Sequence, residues 1–288
     1  MILVTGGTGS IGSELLRLLS QAGVSARALT RNPHKAQTLP GIEWVAGDLA
    51  KPETLATAFD RAQKLFLATS YYEDMVVLQH NAIEAARAAG VTHVVKVSAF
   101  AASDHSRAPI GRWHYQVEKE LLASGLGWTI LRPHHFMQNL LAQAAYVVND
   151  GAIYSASGDG QIPYVDPRDI AAVAFVTLTQ PGHLGKKYVV TGSEALSYRQ
   201  AAEIIAATIG KPVRLVDETP EMARARRVRE GLPPAVIESA LAISAYQRAG
   251  GKTVTITNTI AELTGRPPRT VAAFVREHAD AFRGRPTA

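Results

Sequence analysis

Through the first half of the chain, short apolar runs alternate with segments whose apolar residues recur every three or four positions. The short runs, of which Ile2–Thr5 consists of apolar or β-branched residues, predict strands at 2–5, 25–30, 42–46, 64–68, 93–98 and 128–132. The periodic segments predict helices at 10–21, 52–59, 74–89 and 112–124. Gly23, Gly90 and Gly125 each follow a helical segment, where a left-handed residue commonly ends a helix. This βαβα order predicts a parallel sheet with helices on both faces.

After residue 133 the alternation stops. The pattern predicts a helix at 136–148, a loop rich in Gly, Ser and Asp at 151–160, and a short apolar run at 162–165. A helix at 167–179, a strand at 187–191 and a helix at 198–209 with Ser197 as its N-cap follow. We predict an α/β fold: a Rossmann-type doubly wound parallel sheet with a smaller, mostly helical C-terminal lobe. The predicted domains are 1–133, which binds a dinucleotide, and 134–288, a substrate lobe from which about 165–192 returns to the sheet.

The first predicted strand runs directly into a glycine-rich segment that opens the first helix. Its residues are Thr5, Gly6, Gly7, Thr8, Gly9, Ser10, Ile11 and Gly12. In such a loop one glycine makes the turn, the next lets the backbone approach a pyrophosphate, and the third lets helix and strand pack closely. Free N–H groups and the positive end of the helix dipole then favour the phosphates. An ordinary strand-to-helix turn is the alternative, but the strand–glycine–helix context favours a dinucleotide site.

The end of the second predicted strand indicates which dinucleotide is bound. An NAD site typically has a carboxylate about twenty residues after the glycines. This chain has Arg31 there, with Lys35 close behind it. A guanidinium can pair with the 2′-phosphate of NADP through two parallel hydrogen bonds, so NADPH is the predicted cofactor. Two solvated surface cations are the alternative.

The third predicted strand is followed by a further candidate for cofactor binding. Asp48, with Leu49 next to it, is placed to reach the adenine amino group. The alternative is that Asp48 serves as an N-terminal carboxylate for the helical segment that begins at residue 52.

Composition narrows the remaining classes of protein. The chain has 288 residues, 47% of them hydrophobic and 19% charged, and no apolar segment long enough to span a membrane. The absence of cysteine excludes thiolate chemistry and, with a strand at the very start, predicts a cytoplasmic protein. The nine histidines lack metal-ligand spacing, so no metal is predicted. The net charge of +5 includes an arginine run at 224–229 without interleaved aromatic residues, which favours a solvated helix face over nucleic-acid binding.

A series of motifs along nearly the whole chain resembles the NmrA-like, atypical branch of the short-chain dehydrogenase/reductase superfamily. The motifs are the glycine loop, the segments 31–33 and 47–49, His114 with Glu118, and the segments 127–133, 136–139 and 165–171. The resemblance implies a Rossmann domain with a small substrate lobe. It is greatest to bacterial NADPH-dependent quinone, azo-dye and triphenylmethane-dye reductases. Because the same branch contains dinucleotide sensors that catalyse nothing, a sensing regulator with a protein partner is the alternative function.

Three residues are candidates for acid catalysis. Tyr115 and Lys119 are four positions apart, which puts both on one face of a predicted helix. In the wider superfamily such a tyrosine gives a proton to a carbonyl oxygen as hydride arrives, and the lysine holds the nicotinamide ribose. Ser98, at the end of the fifth predicted strand, would orient the carbonyl. The NmrA-like pattern commonly lacks the tyrosine, and hydride can also pass directly to an electron-poor ring.

The remaining candidates line the nicotinamide and the acceptor. Two segments are expected beside the nicotinamide half of the cofactor: Ala68, Thr69, Ser70, Pro133, His134 and Phe136. A flat aromatic slot for the acceptor is expected from Tyr71, Tyr72, Phe100, Trp113 and His135. Ordinary packing in the core and at its rim is the alternative for the aromatic residues. The expected partner is a small-molecule electron acceptor, with no nucleic acid and no membrane, and a homodimer is left open.

Overall fold

The computed structural model describes residues 1–33, 38–70 and 72–285, and the structural statements below concern these residues. The strands are β1 (Ile2–Val4), β2 (Ala26–Thr30), β3 (Ile42–Ala46), β4 (Lys64–Leu67), β5 (His93–Val97), β6 (Gly127–Pro133), β7 (Ala152–Ser155), β8 (Lys186–Val190) and β9 (Arg214–Asp217). The helices are α1 (Ser10–Gln21), α2 (Ala56–Phe59), α3 (Met75–Ala88), α4 (Pro109–Ala123), α5 (Gln138–Leu141), α6 (Ala144–Asp150), α7 (Pro167–Thr179), α8 (Tyr198–Ile209), α9 (Pro220–Arg229), α10 (Pro234–Ala249), α11 (Thr259–Thr264), α12 (Val271–Glu277) and α13 (Ala279–Phe282).

The larger sheet has the strand order β3-β2-β1-β4-β5-β6-β8. Its pairs from β3 through to β6 are parallel, and Ile2 of β1 lies between Ala26 of β2 and Lys64 of β4. Every residue of β1 and β5 is buried, as expected for central strands covered on both faces. The order reverses between β1 and β4, which is the switch point where Rossmann-type sheets bind their ligands. The predicted fold class is therefore confirmed.

Contacts divide the described chain into two compact units. The first comprises Met1–Ser106, Ile110–Pro133 and Pro167–Val189, and the second comprises Arg107–Pro109, His134–Asp166 and Val190–Ala288, of which the structure describes residues up to 285. In the first unit, apolar residues such as Leu3, Leu65 and Val94 fill the space under α2, α3 and α4. The second unit is mostly helical around its own core, which includes Tyr164 and Phe274, and carries the small parallel sheet β7-β9.

Local sequence signals account for several helix ends. Gly23, Gly90 and Gly125 have φ angles of 67°, 71° and 80°, so the left-handed residues predicted after three helices are confirmed. Ser197 caps α8 in a reciprocal arrangement: its hydroxyl accepts from the Gln200 backbone N–H, and the Gln200 side chain accepts from the Ser197 N–H. The predicted N-cap is therefore confirmed.

Two predictions for the region after residue 133 are wrong. The predicted helix at 136–148 is two helices, α5 and α6, interrupted at Gln143, whose side-chain carbonyl accepts from the Tyr154 backbone N–H at 3.1 Å. The predicted loop at 151–160 contains strand β7, which pairs with β9 about sixty residues later in the chain. A local pattern could not reveal that pairing, because the partner strand is distant in sequence. Among the described residues, no helix is both long and apolar enough to cross a membrane.

Candidate functional site

The glycine loop connects β1 to α1 and packs against the carboxyl end of β4. Thr5 is fully buried, and its hydroxyl accepts from the Ala68 backbone N–H at 3.0 Å. Gly6 has a φ of 64°, and a Cβ there would lie 2.8 Å from the Ala68 carbonyl oxygen. The loop thus makes its turn directly against the end of β4, which brings the predicted residues Thr5 and Ala68 together.

The other two glycines of the spacing have different surroundings. A Cβ at Gly12 would lie 2.1 Å from the Gly6 carbonyl oxygen, so only glycine lets α1 pack this closely on the loop. At Gly9 the nearest atom to such a Cβ would be 3.3 Å away, and Thr8, Gly9 and Ser10 are exposed. Gly9 is also the N-cap of α1, where no side chain caps the helix and no acidic residue occupies the first turn. This cradle of open backbone N–H groups fits the pyrophosphate of a dinucleotide.

Arg31 follows β2 directly and is exposed. Within the part of the chain that the structure describes, its guanidinium has no ion-pair or hydrogen-bonding partner. Lys35 lies outside the described residues. Because Arg31 has no carboxylate partner among the described residues, its N–H donors are available to a phosphate.

Asp48 and Leu49 lie in the turn after β3. Asp48 Oδ1 accepts from the Ala50 backbone N–H at 3.0 Å, so this carboxylate closes a local turn. The Leu49 carbonyl accepts from Asn81 Nδ2 of α3 at 2.7 Å. A side chain of α3 therefore fixes the segment that was predicted to lie beside the adenine.

A second side chain of α3 fixes the segment after β4. Gln79 is buried, and its Nε2 donates to the Thr69 hydroxyl at 2.9 Å. That hydroxyl donates in turn to the Ser70 carbonyl at 3.1 Å. Tyr71 lies outside the described residues, and Tyr72 is exposed. Sequence reasoning missed both positioning residues, Gln79 and Asn81, because their partners lie 10 and 32 positions away.

Ser98 lies just past β5 and is buried, with its hydroxyl engaged by Glu118 of α4. Its Oγ donates to Glu118 Oε1 at 2.5 Å. Arg132 of β6 donates to both oxygens of the same carboxylate, from Nε at 2.9 Å and Nη2 at 2.6 Å, and Lys187 of β8 lies at 3.4 Å. Burial alone would raise the pKa of Glu118, but the hydrogen bonds from Arg132 and Ser98 outweigh it, so that the pKa is lowered. The carboxylate therefore stays ionised and joins α4 to the ends of three strands.

A lysine and a histidine lie buried beside this carboxylate. Lys96 of β5 is fully buried, and its Nζ donates to the Val97 carbonyl at 3.1 Å and lies 3.2 Å from Nδ1 of His114. Burial lowers the pKa of Lys96 to about 7, against the opposing charge of Glu118. Burial likewise holds the pKa of His114 well below its ordinary value, so this imidazole is neutral and accepts from the lysine.

Tyr115 and Lys119 share one face of α4. The ammonium of Lys119 lies 5.3 Å from the centroid of the Tyr115 ring. Lys119 is exposed and Tyr115 half-buried. No hydrogen bond joins either residue to Ser98 among the described residues. The structure thus brings the tyrosine and lysine together and gives the serine a different partner.

The remaining candidate residues for the nicotinamide and the acceptor belong to different units, because the first unit includes Pro133 and the second includes His134. Phe100 and Trp113 are half-buried in the first unit, and the Phe100 backbone N–H donates to the Pro133 carbonyl at 3.0 Å. In the second unit, His135 N–H donates to His134 Nδ1 at 2.8 Å, and Phe136 forms a bridge to Val165.

The His135 ring has two further partners. Its Nε2 lies 3.0 Å from the hydroxyl of Tyr198 and 3.0 Å from Nδ2 of Asn139. Burial lowers the pKa of His135 to about 3 and that of His134 to about 4, so both rings are neutral at physiological pH. Sequence reasoning did not connect His135 with Tyr198, because the two residues lie 63 positions apart.

Comparison with known proteins assigns the chain to a family. A model of the NmrA-like family matches residues 1–266. The chain belongs to the NmrA-like family. The NAD(P)H azoreductase of Xenophilus azovorans is 40% identical to this chain over 289 residues. The match covers 98% of this chain and 99% of that protein.

Two solved structures resemble this NmrA-like chain over almost its full length. An NADPH-dependent quinone oxidoreductase from Escherichia coli, solved in complex with NADPH, has a TM-score of 0.87 at 30% identity and covers 96% of this chain and 98% of its own. The triphenylmethane reductase of Citrobacter sp., complexed with NADP(H), has a TM-score of 0.84 at 26% identity and covers 96% and 99%. The resemblance inferred from the motifs is confirmed.

Proposed function

We propose that the protein is an NADPH-dependent reductase that delivers hydride to a small quinone-like, aromatic or carbonyl acceptor. The observation that carries the proposal is the backbone cradle at residues 6–12, with the partner-free guanidinium of Arg31 at the end of the adjacent strand among the described residues. The azoreductase and the quinone oxidoreductase that are similar to the whole chain carry names of this chemistry. The predicted enzyme class and cofactor agree with them.

The described residues divide into groups that would hold the parts of the cofactor. Backbone N–H groups at the start of α1 would bind the pyrophosphate, Arg31 the 2′-phosphate, and Asp48 with Leu49 the adenine. The nicotinamide half is assigned to Ala68, Thr69, Ser70, Lys119, Pro133, His134 and Phe136. When bound, NADPH would supply the hydride from its nicotinamide ring. Lys35 and Tyr71 stay predictions for the ribose phosphate and the acceptor.

Aromatic side chains are assigned to the acceptor. Tyr72 is exposed by 46%, and Phe100, Trp113 and His135 are half-buried, so each keeps a surface that a flat ring could cover. Such side chains would position the acceptor and exclude water. A small-molecule acceptor of this kind suits the proposed reductase, whereas a homodimer and a cytoplasmic location stay predictions.

The fate of the proton depends on the acceptor. The Ser98 hydroxyl donates a hydrogen bond to Glu118, so we do not assign Ser98 to the acceptor and give it a positioning role at the end of β5. A carbonyl acceptor develops negative charge on one oxygen as hydride arrives, and Tyr115 is the residue we assign to protonate it. A reduced quinone spreads that charge over its ring and can take its proton from water.

Tyr115→Phe should therefore separate the two classes of acceptor. We expect kcat for a carbonyl acceptor to fall about a hundredfold, the usual contribution of a general acid, and kcat for a quinone to fall less than about tenfold. Steady-state kinetics with both acceptors measure the two effects. Equal losses on the two acceptors would contradict this division of roles.

The proposed function is tested by NADPH oxidation, followed at the nicotinamide absorbance, against quinones, azo dyes and carbonyl compounds. We expect turnover with at least one quinone or azo dye, and faster turnover with NADPH than with NADH. Tight binding of NADPH without turnover of any acceptor would contradict the assignment as an enzyme. That result would favour the alternative, a dinucleotide sensor, which the similarity to named reductases currently supports less.

A further inference from the structure

Helix α3 has one buried side that is apolar except at a single position. Its buried residues recur at three- and four-residue spacing and are Met75, Gln79, Ala82, Ile83 and Ala86. Gln79, the polar member of this set, is 1% exposed. A buried amide costs free energy unless both of its ends are hydrogen-bonded. The hydrogen bonds of Gln79 therefore decide whether it stabilises the fold.

The Gln79 amide is hydrogen-bonded at one end only, among the described residues. Its Nε2 donates to the Thr69 hydroxyl at 2.9 Å, and that hydroxyl uses its own proton on the Ser70 carbonyl at 3.1 Å. Thr69 can therefore only accept from the amide, which fixes the orientation of Gln79. The Oε1 atom of Gln79 is buried and has no hydrogen-bonding partner in the described part of the chain. Since an unpaired buried acceptor offsets the gain from one hydrogen bond, the amide adds little to the stability of the fold.

The segment that Gln79 contacts, residues 68–70, lies at the switch point of the larger sheet. It directly follows β4, next to which the strand order reverses. The Ala68 backbone N–H donates to the Thr5 hydroxyl, so the segment is fastened to the glycine loop at Ala68 and to α3 at Thr69. Ala68 and Thr69 are half-buried and Ser70 is exposed. The segment is thus held by the protein at two points and keeps surface on which a ligand can lie.

A second amide of α3 holds a different segment. Asn81 is half-buried, and its Nδ2 donates to the Leu49 carbonyl at 2.7 Å. Residues two positions apart point roughly 200° apart around a helix, so Gln79 and Asn81 reach different neighbours. Leu49 lies after β3 and Thr69 after β4, and these strands lie on opposite sides of β1 in the sheet. One helix therefore holds two segments that the proposed function assigns to opposite ends of the cofactor.

We propose that Gln79 is a positioning residue for hydride transfer, because it sets the backbone on which the nicotinamide half of NADPH would lie. Asn81 has the corresponding role for the adenine half. The proposal rests on the proposed reductase function, since it divides that cofactor site between two side chains of α3. Hydride passes only when the donor and acceptor atoms are close and aligned, so a small displacement at 68–70 slows the reaction. A displacement at the adenine end, remote from the reacting atoms, weakens binding instead.

Gln79→Met removes the amide and keeps an unbranched side chain of similar length. We expect kcat for quinone reduction at saturating NADPH to fall about tenfold. Adenosine 2′,5′-bisphosphate carries the adenine and the 2′-phosphate without the nicotinamide, and its affinity should change less than about twofold. Steady-state kinetics and calorimetry measure the two quantities. An unchanged kcat, or an equal loss in affinity for the fragment, would refute the role of Gln79.

Asn81→Leu should give a different signature. The affinities for NADPH and for adenosine 2′,5′-bisphosphate should both fall about fivefold, which is the effect of one lost hydrogen bond. Calorimetry with each nucleotide measures both losses. A loss confined to NADPH would contradict the division between the two amides.

Gln63→Met is the matched control for Gln79→Met. Gln63 precedes β4, at the other end of the strand from 68–70, and its exposed side chain accepts from the N-terminal ammonium at 3.0 Å. We expect its kcat to stay near that of the unaltered protein, and an equal fall would show a general effect of loosening β4, against the proposal. Urea unfolding of Gln79→Met should have nearly the midpoint of the unaltered protein, because the lost amide was only half paired among the described residues. A large fall in that midpoint would assign Gln79 to the fold instead.

Thr69→Val tests the same hydrogen bond from its other end, and it replaces Gln79→Met if that variant does not fold. The double variant should be no slower than the slower single variant, because both changes remove one interaction. Independent, multiplying losses would contradict an effect that acts through Thr69. If no acceptor is reduced, the proposed function fails, but Gln79→Met should still weaken NADPH binding about threefold more than binding of the adenosine fragment. Equal effects on both nucleotides would then overturn the proposal.

Discussion

Arg31→Glu should weaken NADPH binding by about a hundredfold, since it replaces hydrogen bonds to a charged phosphate with repulsion of that phosphate. NADH lacks the 2′-phosphate, so its affinity should change far less. The guanidinium is exposed and free of other partners among the described residues, and its replacement therefore leaves no broken internal contact. Fluorescence titration of the protein with each nucleotide measures both dissociation constants.

Arg87→Glu is a suitable control for the change in net charge. Arg87 lies on α3 and pairs with Glu84 in an exposed i,i+3 contact, and neither residue is assigned to the cofactor. We expect it to alter the affinities for NADPH and NADH by the same small factor. If Arg31→Glu reduced the affinity for both nucleotides equally, the 2′-phosphate assignment would be wrong.

Glu118→Ala should lower the free energy of unfolding by about 3–5 kcal/mol, the usual cost of removing one partner from a buried ion pair. The substitution leaves the Arg132 guanidinium, 20% exposed, and the buried Ser98 hydroxyl without their acceptor. Urea unfolding at neutral pH measures the loss. Glu84→Ala, which breaks an exposed pair with Arg87, should cost less than about 1 kcal/mol in the same experiment. Comparable losses for the two variants would contradict the role given to Glu118.

The pH dependence of this contribution has a definite sign. The pKa of Glu118 is lower in the folded protein than its ordinary value, because Arg132 and Ser98 stabilise the carboxylate. Its contribution is therefore fully present above the unfolded pKa of about 4.3 and is lost as the pH falls through the folded pKa. The stability difference between the unaltered protein and Glu118→Ala should shrink accordingly below about pH 4.

Local signals made much of the fold predictable. The central strand β1 was readable because a buried parallel strand is a continuous apolar run, and the glycine loop because Gly6 and Gly12 each meet a backbone constraint. The partner of Ser98 was not readable. Ser98 and Glu118 lie 20 positions apart, and Glu118 and Arg132 lie 14 apart. Only the packing of α4 on the sheet brings these three residues together. From the sequence alone, the Ser98 hydroxyl therefore looked available to a substrate.

The second unit was less predictable for the same reason. Strand β7 lies in a segment whose Gly, Ser and Asp residues predict a loop, and it pairs with β9 about sixty residues later. Arg226 stands in a basic run that is typical of a solvated face, yet Glu218, eight positions earlier, binds it in the interior. In both cases a partner outside the segment that was read overrides the local pattern.

Because Lys96 of β5 is buried, folding of the chain is coupled to the release of a proton. The pKa of Lys96 is about 7 in the folded protein, whereas the ordinary value for a lysine is 10.5. Between these two pH values the lysine is protonated in the unfolded chain and neutral in the folded one. This group therefore makes the fold more stable as the pH rises through that interval. In a weakly alkaline solution each chain that folds releases about one proton from this position. The heat of folding then includes the heat of neutralising that proton and differs between buffers of the same pH.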